Sequence, residues 1–128
     1  MPHIEHTALW TPDLERARTF YERYFDASAG EKYVNPEKDF SSYFLEFESG
    51  ARLELMHTPH MASALEEEPA AGYAHIAISV GSEHAVDTLT ERLRDDGYPV
   101  CGEPRWTGDG YYESVVRDPD DNRVEITV

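Results

Sequence analysis

Apolar and polar positions along the chain form short alternating runs and two stretches of helical spacing, and the order of these segments repeats. His6 to Trp10 and His75 to Val80 are short runs rich in β-branched and apolar residues, the mark of a strand. A helix signal follows each. Thr11-Pro12-Asp13 opens the first, with proline suited to a first turn and acids near the positive end. Leu14, Ala17, Tyr21 and Tyr24 then recur at helical spacing. Ser82 is placed to cap the second helix, Val86, Leu89 and Leu93 form its stripe, and Gly97 stands where such a helix ends. Both halves then return to strands. In the first, Ser42 to Glu48 and Arg52 to Met56 flank a turn at Ser49-Gly50. In the second, Tyr111 to Arg117 and Arg123 to Val128 flank a turn at Asp118 to Asn122. A weaker strand precedes each pair, near Glu31 to Val34 and near Tyr98 to Glu103. The pattern predicts an α+β fold of two βαβββ modules, about residues 1–58 and 73–128, with 59–72 as the connection.

The repeat has a chemical consequence. His6 lies 48 residues before Glu54, and His75 lies 50 residues before Glu125. Each module therefore has a histidine on its first strand and a glutamate on its last. Strand alternation turns Glu54 away from Leu53 and Leu55, and Glu125 away from Val124 and Ile126. His75 likewise opposes Ile76 and Ile78. The first strand is less clean, because Ile4, Ala8 and Trp10 share the face of His6. If helices cover the apolar faces, a pseudo-twofold relation between the modules brings two imidazoles and two carboxylates onto one concave surface. That set suits a divalent ion, with two waters completing an octahedron and leaving open positions. A lone Glu on a strand usually marks a solvated face, and a lone His a satisfied polar residue. Four in matching positions point instead to His6, Glu54, His75 and Glu125 as a ligand quartet.

Composition narrows the partners. At 128 residues, 40% hydrophobic and 29% charged, the chain suits one domain with a real core and excludes disorder. No apolar run approaches the ~18–20 residues of a membrane span, and the N-terminus lacks a signal-peptide pattern. The 11 Lys+Arg against 26 Asp+Glu leave a net charge of −15. Such a chain repels phosphate backbones and anionic lipid, so neither nucleic acid nor membrane is an expected partner. Cys101 is the sole cysteine, which excludes an intrachain disulfide and fits a reducing cytoplasm.

The same residues carry a family resemblance. Ile4 to Trp10, Asp13-Leu14-Glu15-Arg16, Arg52 to Leu55, Tyr73 to Ala77, and Asp118-Pro119-Asp120 with Asn122 to Glu125 resemble the signatures of the vicinal oxygen chelate superfamily. That superfamily includes glyoxalase I, methylmalonyl-CoA epimerase, extradiol dioxygenases and bleomycin resistance proteins. The resemblance covers essentially the whole chain. It implies a cup-shaped mixed β-sheet with helices outside, and metal ligands at His6, Glu54, His75 and Glu125. A His/Glu/His/Glu set is similar to that of bacterial glyoxalase I, which implies nickel or cobalt, with zinc, iron or manganese as other candidates. The implied chemistry is that of an isomerase or lyase. A metal-held carbonyl loses a proton from the neighbouring carbon to give a metal-stabilised enediolate. Glu125 is the implied base, with Glu54 able to share the work. The resemblance also implies a small-molecule substrate and a homodimer.

Two departures bear on the substrate. Trp10 stands where many glyoxalase I enzymes have an arginine for glutathione, and Thr58 stands where they have an asparagine. This argues against lactoylglutathione lyase activity itself and makes Trp10 an aromatic wall for a less anionic or more apolar substrate. The alternatives are an Fe(II) ring-cleaving dioxygenase, which the fourth carboxylate disfavours, and a non-catalytic binding or resistance protein, which the intact quartet disfavours. Other residues have simpler readings. His57 and His60 follow Glu54 closely but lie off a helix, and His84 opens the second helix. Arg105 to Tyr112 is either a substrate-contacting loop or a packed β-connection. Cys101 has no basic or histidine neighbour to activate it.

Overall fold

Side-chain periodicity becomes structure in the order the pattern implies. The computed structural model describes residues 2–62 and 73–128, and the chain divides into two units, 1–64 and 65–128. Most of the expected connection over 59–72, including Glu66 to Glu68, lies outside the described residues.

In the first unit, β1 (His6–Trp10) leads into α1 (Leu14–Phe25). Then come β2 (Ser28–Ala29), β3 (Tyr33–Asn35), a single 3-10 turn (Pro36–Lys38), β4 (Phe40–Glu46) and β5 (Arg52–His57). The sheet order is β1-β5-β4-β2, with β3 also on β4. Strands β1 and β5 are parallel, and the other pairs are antiparallel. Asp13 caps α1 by accepting from the Arg16 N–H at 3.0 Å, and Asp26 ends it in the left-handed region. The helix buries Leu14, Ala17, Phe20, Tyr21, Tyr24 and Phe25. It packs on β4 and β5, where Leu45, Leu53 and Leu55 are also buried. Tyr43 on that face donates to Glu15 of α1 at 2.7 Å.

The second unit is β6 (His75–Ser79), α2 (Glu83–Asp95), β7 (Val100–Trp106), β8 (Tyr112–Arg117) and β9 (Arg123–Thr127). Its sheet order is β6-β9-β8-β7, with β6 and β9 parallel. Ser82 caps α2 by accepting from the Ala85 N–H at 3.1 Å. Val86, Thr90 and Leu93 of the helix are buried, as are Ser114, Val116, Val124 and Ile126 of the sheet. Thr90 donates to the Val86 carbonyl at 2.6 Å and pairs with the Ser114 hydroxyl at 2.7 Å, so this buried hydroxyl pair is satisfied.

The second unit is βαβββ, as the alternation implies. The first differs by one short strand. Ser28–Ala29 pairs with Leu45 and Glu46, and Tyr33–Asn35 is a separate strand on the other part of β4. Two or three residues are too few for alternation to show.

Candidate functional site

The two parallel pairs place the four site residues by the same rule. His6 pairs with Arg52 and Ala8 with Glu54; His75 pairs with Arg123 and Ala77 with Glu125. In each unit the glutamate therefore lies diagonal to the histidine, within reach of two long side chains. Both diagonals are on the sheet face opposite the helix, because Leu53 and Leu55, and Val124 and Ile126, are buried on the other face. His6 Nε2 is 3.8 Å from Glu54 Oε1, and His75 Nε2 is 3.1 Å from Glu125 Oε1. The side-chain exposures also match, at 41% and 16% in the first pair and 38% and 17% in the second. Half-open imidazoles beside mostly covered carboxylates leave each pair accessible from one side.

These pairs fit a divalent cation. Two ligands at right angles on bonds of about 2.1 Å stand about 3 Å apart; the 3.1 Å of the second pair matches this, and the 3.8 Å of the first corresponds to a more open angle. The orientation of His6 fits as well. Its Nδ1 lies 2.9 Å from a Glu5 oxygen, and since a carboxylate only accepts, Nδ1 donates there and Nε2 is the nitrogen directed toward Glu54. Arg52 in turn holds Glu5 through Nε at 2.7 Å and through Nη2. The His6 hydrogen bond, and after it the Arg52 guanidinium, keeps the Glu5 carboxyl below its ordinary value of 4.5. Glu5 is thus a positioning residue for His6. Alternation on its own strand does not reveal that role. Among the described residues no group of three or more His, Cys, Asp or Glu side chains is placed to hold a metal ion; the structure brings together His6 with Glu54 and His75 with Glu125.

Glu113 is the other residue whose part does not follow from the chain alone. The register runs from Glu113 to Thr127 and from Val115 to Glu125, so Glu113 shares the open face with Glu125. Burial pushes the Glu113 carboxyl up, and its hydrogen bond to Glu125 and the charge there push it further, against the pull of Arg105. Arg105 itself donates to the Glu113 carbonyl at 2.9 Å.

Other histidines fall elsewhere. His57 points to the helix side of its sheet, with Nδ1 2.9 Å from the Thr11 carbonyl oxygen. His60 lies 3.5 Å from Asp39, and His84 is exposed on the first turn of α2. The connection after Arg105 is a tight hairpin: the Thr107 N–H donates to the Tyr111 carbonyl at 2.8 Å, and its hydroxyl to Asp109 at 2.6 Å. Tyr112 turns to the helix side and donates to Asp87 of α2 at 2.6 Å, which pushes its phenol up to about 12.

A family model described as Glyoxalase/Bleomycin resistance protein/Dioxygenase superfamily matches residues 3–126. The chain belongs to this superfamily. Among curated relatives it is 33% identical to the mitochondrial methylmalonyl-CoA epimerase of Bos taurus over 94 residues, 70% of this chain and 53% of that protein. It is 30% identical to the ethylmalonyl-CoA/methylmalonyl-CoA epimerase of Cereibacter sphaeroides over 103 residues, 77% of this chain and 74% of that one. The chain spans about half the length of the mitochondrial relatives it matches. Among solved structures, the trypanothione-dependent glyoxalase I of Leishmania major superposes with TM-score 0.80 at 27% identity, covering 99% of this chain and 86% of that one. A glyoxalase/bleomycin resistance protein/dioxygenase domain from Frankia sp. EAN1pec superposes with TM-score 0.84 at 20% identity, covering 100% and 98%, which shows the fold. No helix among the described residues is long and apolar enough to cross a membrane.

Proposed function

We propose that His6, Glu54, His75 and Glu125 form the two halves of one divalent-metal site, and that the protein is an isomerase or lyase acting by proton transfer next to a carbonyl. The observation that carries this reading is the repeated diagonal: the same two residue types, in the same parallel register, at 3.8 Å and 3.1 Å on the helix-free faces. A structural coincidence has no reason to recur in both units with matching exposure. The halves join within one chain or between two chains of a homodimer in the cytoplasm. Nickel or cobalt suits the mixed imidazole and carboxylate donors, and zinc, iron and manganese accept the same donors. When bound, a divalent ion supplies Lewis acidity that steadies negative charge on neighbouring substrate oxygens.

The chain's own groups do the rest. His6 and His75 would hold the ion through Nε2, the nitrogen each directs toward its glutamate. Glu5 fixes the tautomer and ring orientation of His6. Glu125 is the base that takes the proton from the carbon beside the carbonyl, and Glu54, its counterpart, returns a proton or takes it from the opposite side. Glu113 adds a carboxyl beside Glu125 that burial biases toward its protonated form.

Solvent deuterium exchange tests the chemistry. Nickel-loaded protein in D2O is expected to place deuterium into methylmalonyl-CoA, or into the hemithioacetal of methylglyoxal and glutathione, at a rate that chelation abolishes. Replacing Glu125 with Gln is expected to slow that exchange by about 10²–10⁴-fold. Exchange no faster than buffer with these two compounds and with α-hydroxyacetophenone, an aryl ketone with a neighbouring hydroxyl, would contradict the proposed reaction.

A further inference from the structure

The face of the first unit that carries His6 and Glu54 also carries an aromatic array that the core does not use. Trp10 lies on β1 with His6 and Ala8 by alternation. Met56 pairs with both Trp10 and Ser42, Ser42 pairs with Tyr33, and Phe40 pairs with Asn35, so Trp10, Tyr33 and Phe40 share that face. The Trp10 and Phe40 rings are edge to face, with centroids 6.2 Å apart, and Tyr33 meets Phe40 at 6.1 Å. Trp10 is 51% exposed and Tyr33 53%. Three clustered rings that leave this much apolar surface in water mark a binding surface rather than a packing accident.

Charge decides what the surface takes. Of the strand residues on this face, Arg52 is the only Lys or Arg. Its guanidinium lies 4.2 Å over the Phe44 ring and is held by both Glu5 oxygens, so it is committed within the protein. The strands of this face therefore offer an anionic handle such as a peptide carboxylate no uncommitted guanidinium, and Lys38 stands exposed in the 3-10 turn before Phe40. An apolar ring finds three partners. Glu54 lies opposite Ala8, one alternation from Trp10, or roughly 7 Å along the strand. That spacing suits a substrate whose ring sits a few atoms from its reacting carbonyl.

We infer that Trp10, Phe40 and Tyr33 bind an aromatic substituent of the substrate, so that the preferred substrate class is an aryl-bearing carbonyl compound with two neighbouring oxygens. This deepens the metal-site reading and rests on it for the identity of the site. The test uses two hydroxamates that share one bidentate oxygen head and differ in a phenyl or a methyl group. Calorimetric titration of the nickel-loaded full chain is expected to show benzohydroxamate binding at least about tenfold more tightly than acetohydroxamate, equivalent to about 1.4 kcal/mol. Trp10→Ala, and independently Phe40→Ala, are expected to bring the ratio to about two or below, with folding checked by circular dichroism. Trp10→Phe is expected to restore part of the preference. Trp106→Ala is expected to leave it intact, because Trp106 pairs with Tyr112, which faces α2.

Equal affinities, no detectable benzohydroxamate binding, or a ratio unchanged in Trp10→Ala and Phe40→Ala would each overturn the inference. The two readings separate cleanly. If nickel strengthens both hydroxamates without a phenyl preference, the aromatic surface fails and the metal site stands. If nickel changes neither affinity while the preference persists and falls with Trp10→Ala, the aromatic surface stands and the metal site fails.

Discussion

Tyr43 and Glu15 show how one hydrogen bond moves two titrations apart. The phenol donates to the carboxylate across the interface of α1 and β4, at 2.7 Å. That bond holds Glu15 below its ordinary 4.5 against the opposing effect of burial, with Arg18 helping, and it pushes the Tyr43 phenol up. For a carboxylate lowered by folding, the associated stability is present above 4.5 and is lost as pH falls through the folded value. In Tyr43→Phe, carboxyl NMR is expected to find Glu15 titrating closer to 4.5 and the acid limb of the stability curve less steep; an unmoved Glu15 would assign its shift to Arg18 instead. The buried hydroxyl pair behaves differently. Thr90→Val deprives the Ser114 hydroxyl of its 2.7 Å partner inside the second core. Denaturant unfolding is expected to show a loss of about 1–3 kcal/mol, whereas an unchanged midpoint would mean that Ser114 finds another acceptor.

At the scale of elements, α2 was legible at both termini through Ser82 and Gly97, whereas for α1 the chain showed the opening at Thr11-Pro12-Asp13 but not that Asp13 is the cap with Pro12 ahead of the helix, nor the Asp26 end. Asp13 and Ser82 are the caps, and Asp26 and Gly97 take positive φ just after the helices. Ser82→Ala is expected to cost about 1 kcal/mol, read as a lower unfolding midpoint; no change would mean the first turn of α2 is held by packing alone. Strands flanked by strong turns were also legible, such as β8 and β9 around Asp118, whose carboxylate accepts from the Asp120 and Asn122 N–H groups at 2.9 Å. The region from Ser28 to Lys38 was legible only in part: the weaker strand expected near Glu31 to Val34 forms as Tyr33–Asn35, and Ser28–Ala29 was not foreseen. Ser28–Ala29 and Tyr33–Asn35 owe their strand state to pairing with β4, a nonlocal cause that leaves no local periodicity. The same reason hid the aromatic array, since the face of Tyr33 is fixed by its pairing with Ser42. Glu113 stood on a visible alternation, but its closeness to Glu125 depends on the register of β8 with β9, which the chain does not state locally.

At the scale of the whole molecule, charge and duplication act separately. A net charge of −15 on 128 residues repels itself in the folded state. Raising salt from about 10 mM to about 500 mM shortens the screening length well below the size of the domain. The thermal midpoint is expected to rise by a few degrees, and a fall would mean that surface ion pairs such as Arg18 with Glu15 and Glu22 outweigh the repulsion. Duplication made the candidate site legible. Two parallel edge pairs with one register repeat the same diagonal, so spacings of 48 and 50 residues carried geometric information that neither histidine carries alone. The most direct test of the proposed metal site is elemental analysis of protein purified without chelator. About one nickel, cobalt or zinc ion per chain is expected, with His6→Ala and His75→Ala each falling below about 0.2. Wild-type protein below that level, or either variant holding as much metal as the wild type, would contradict it.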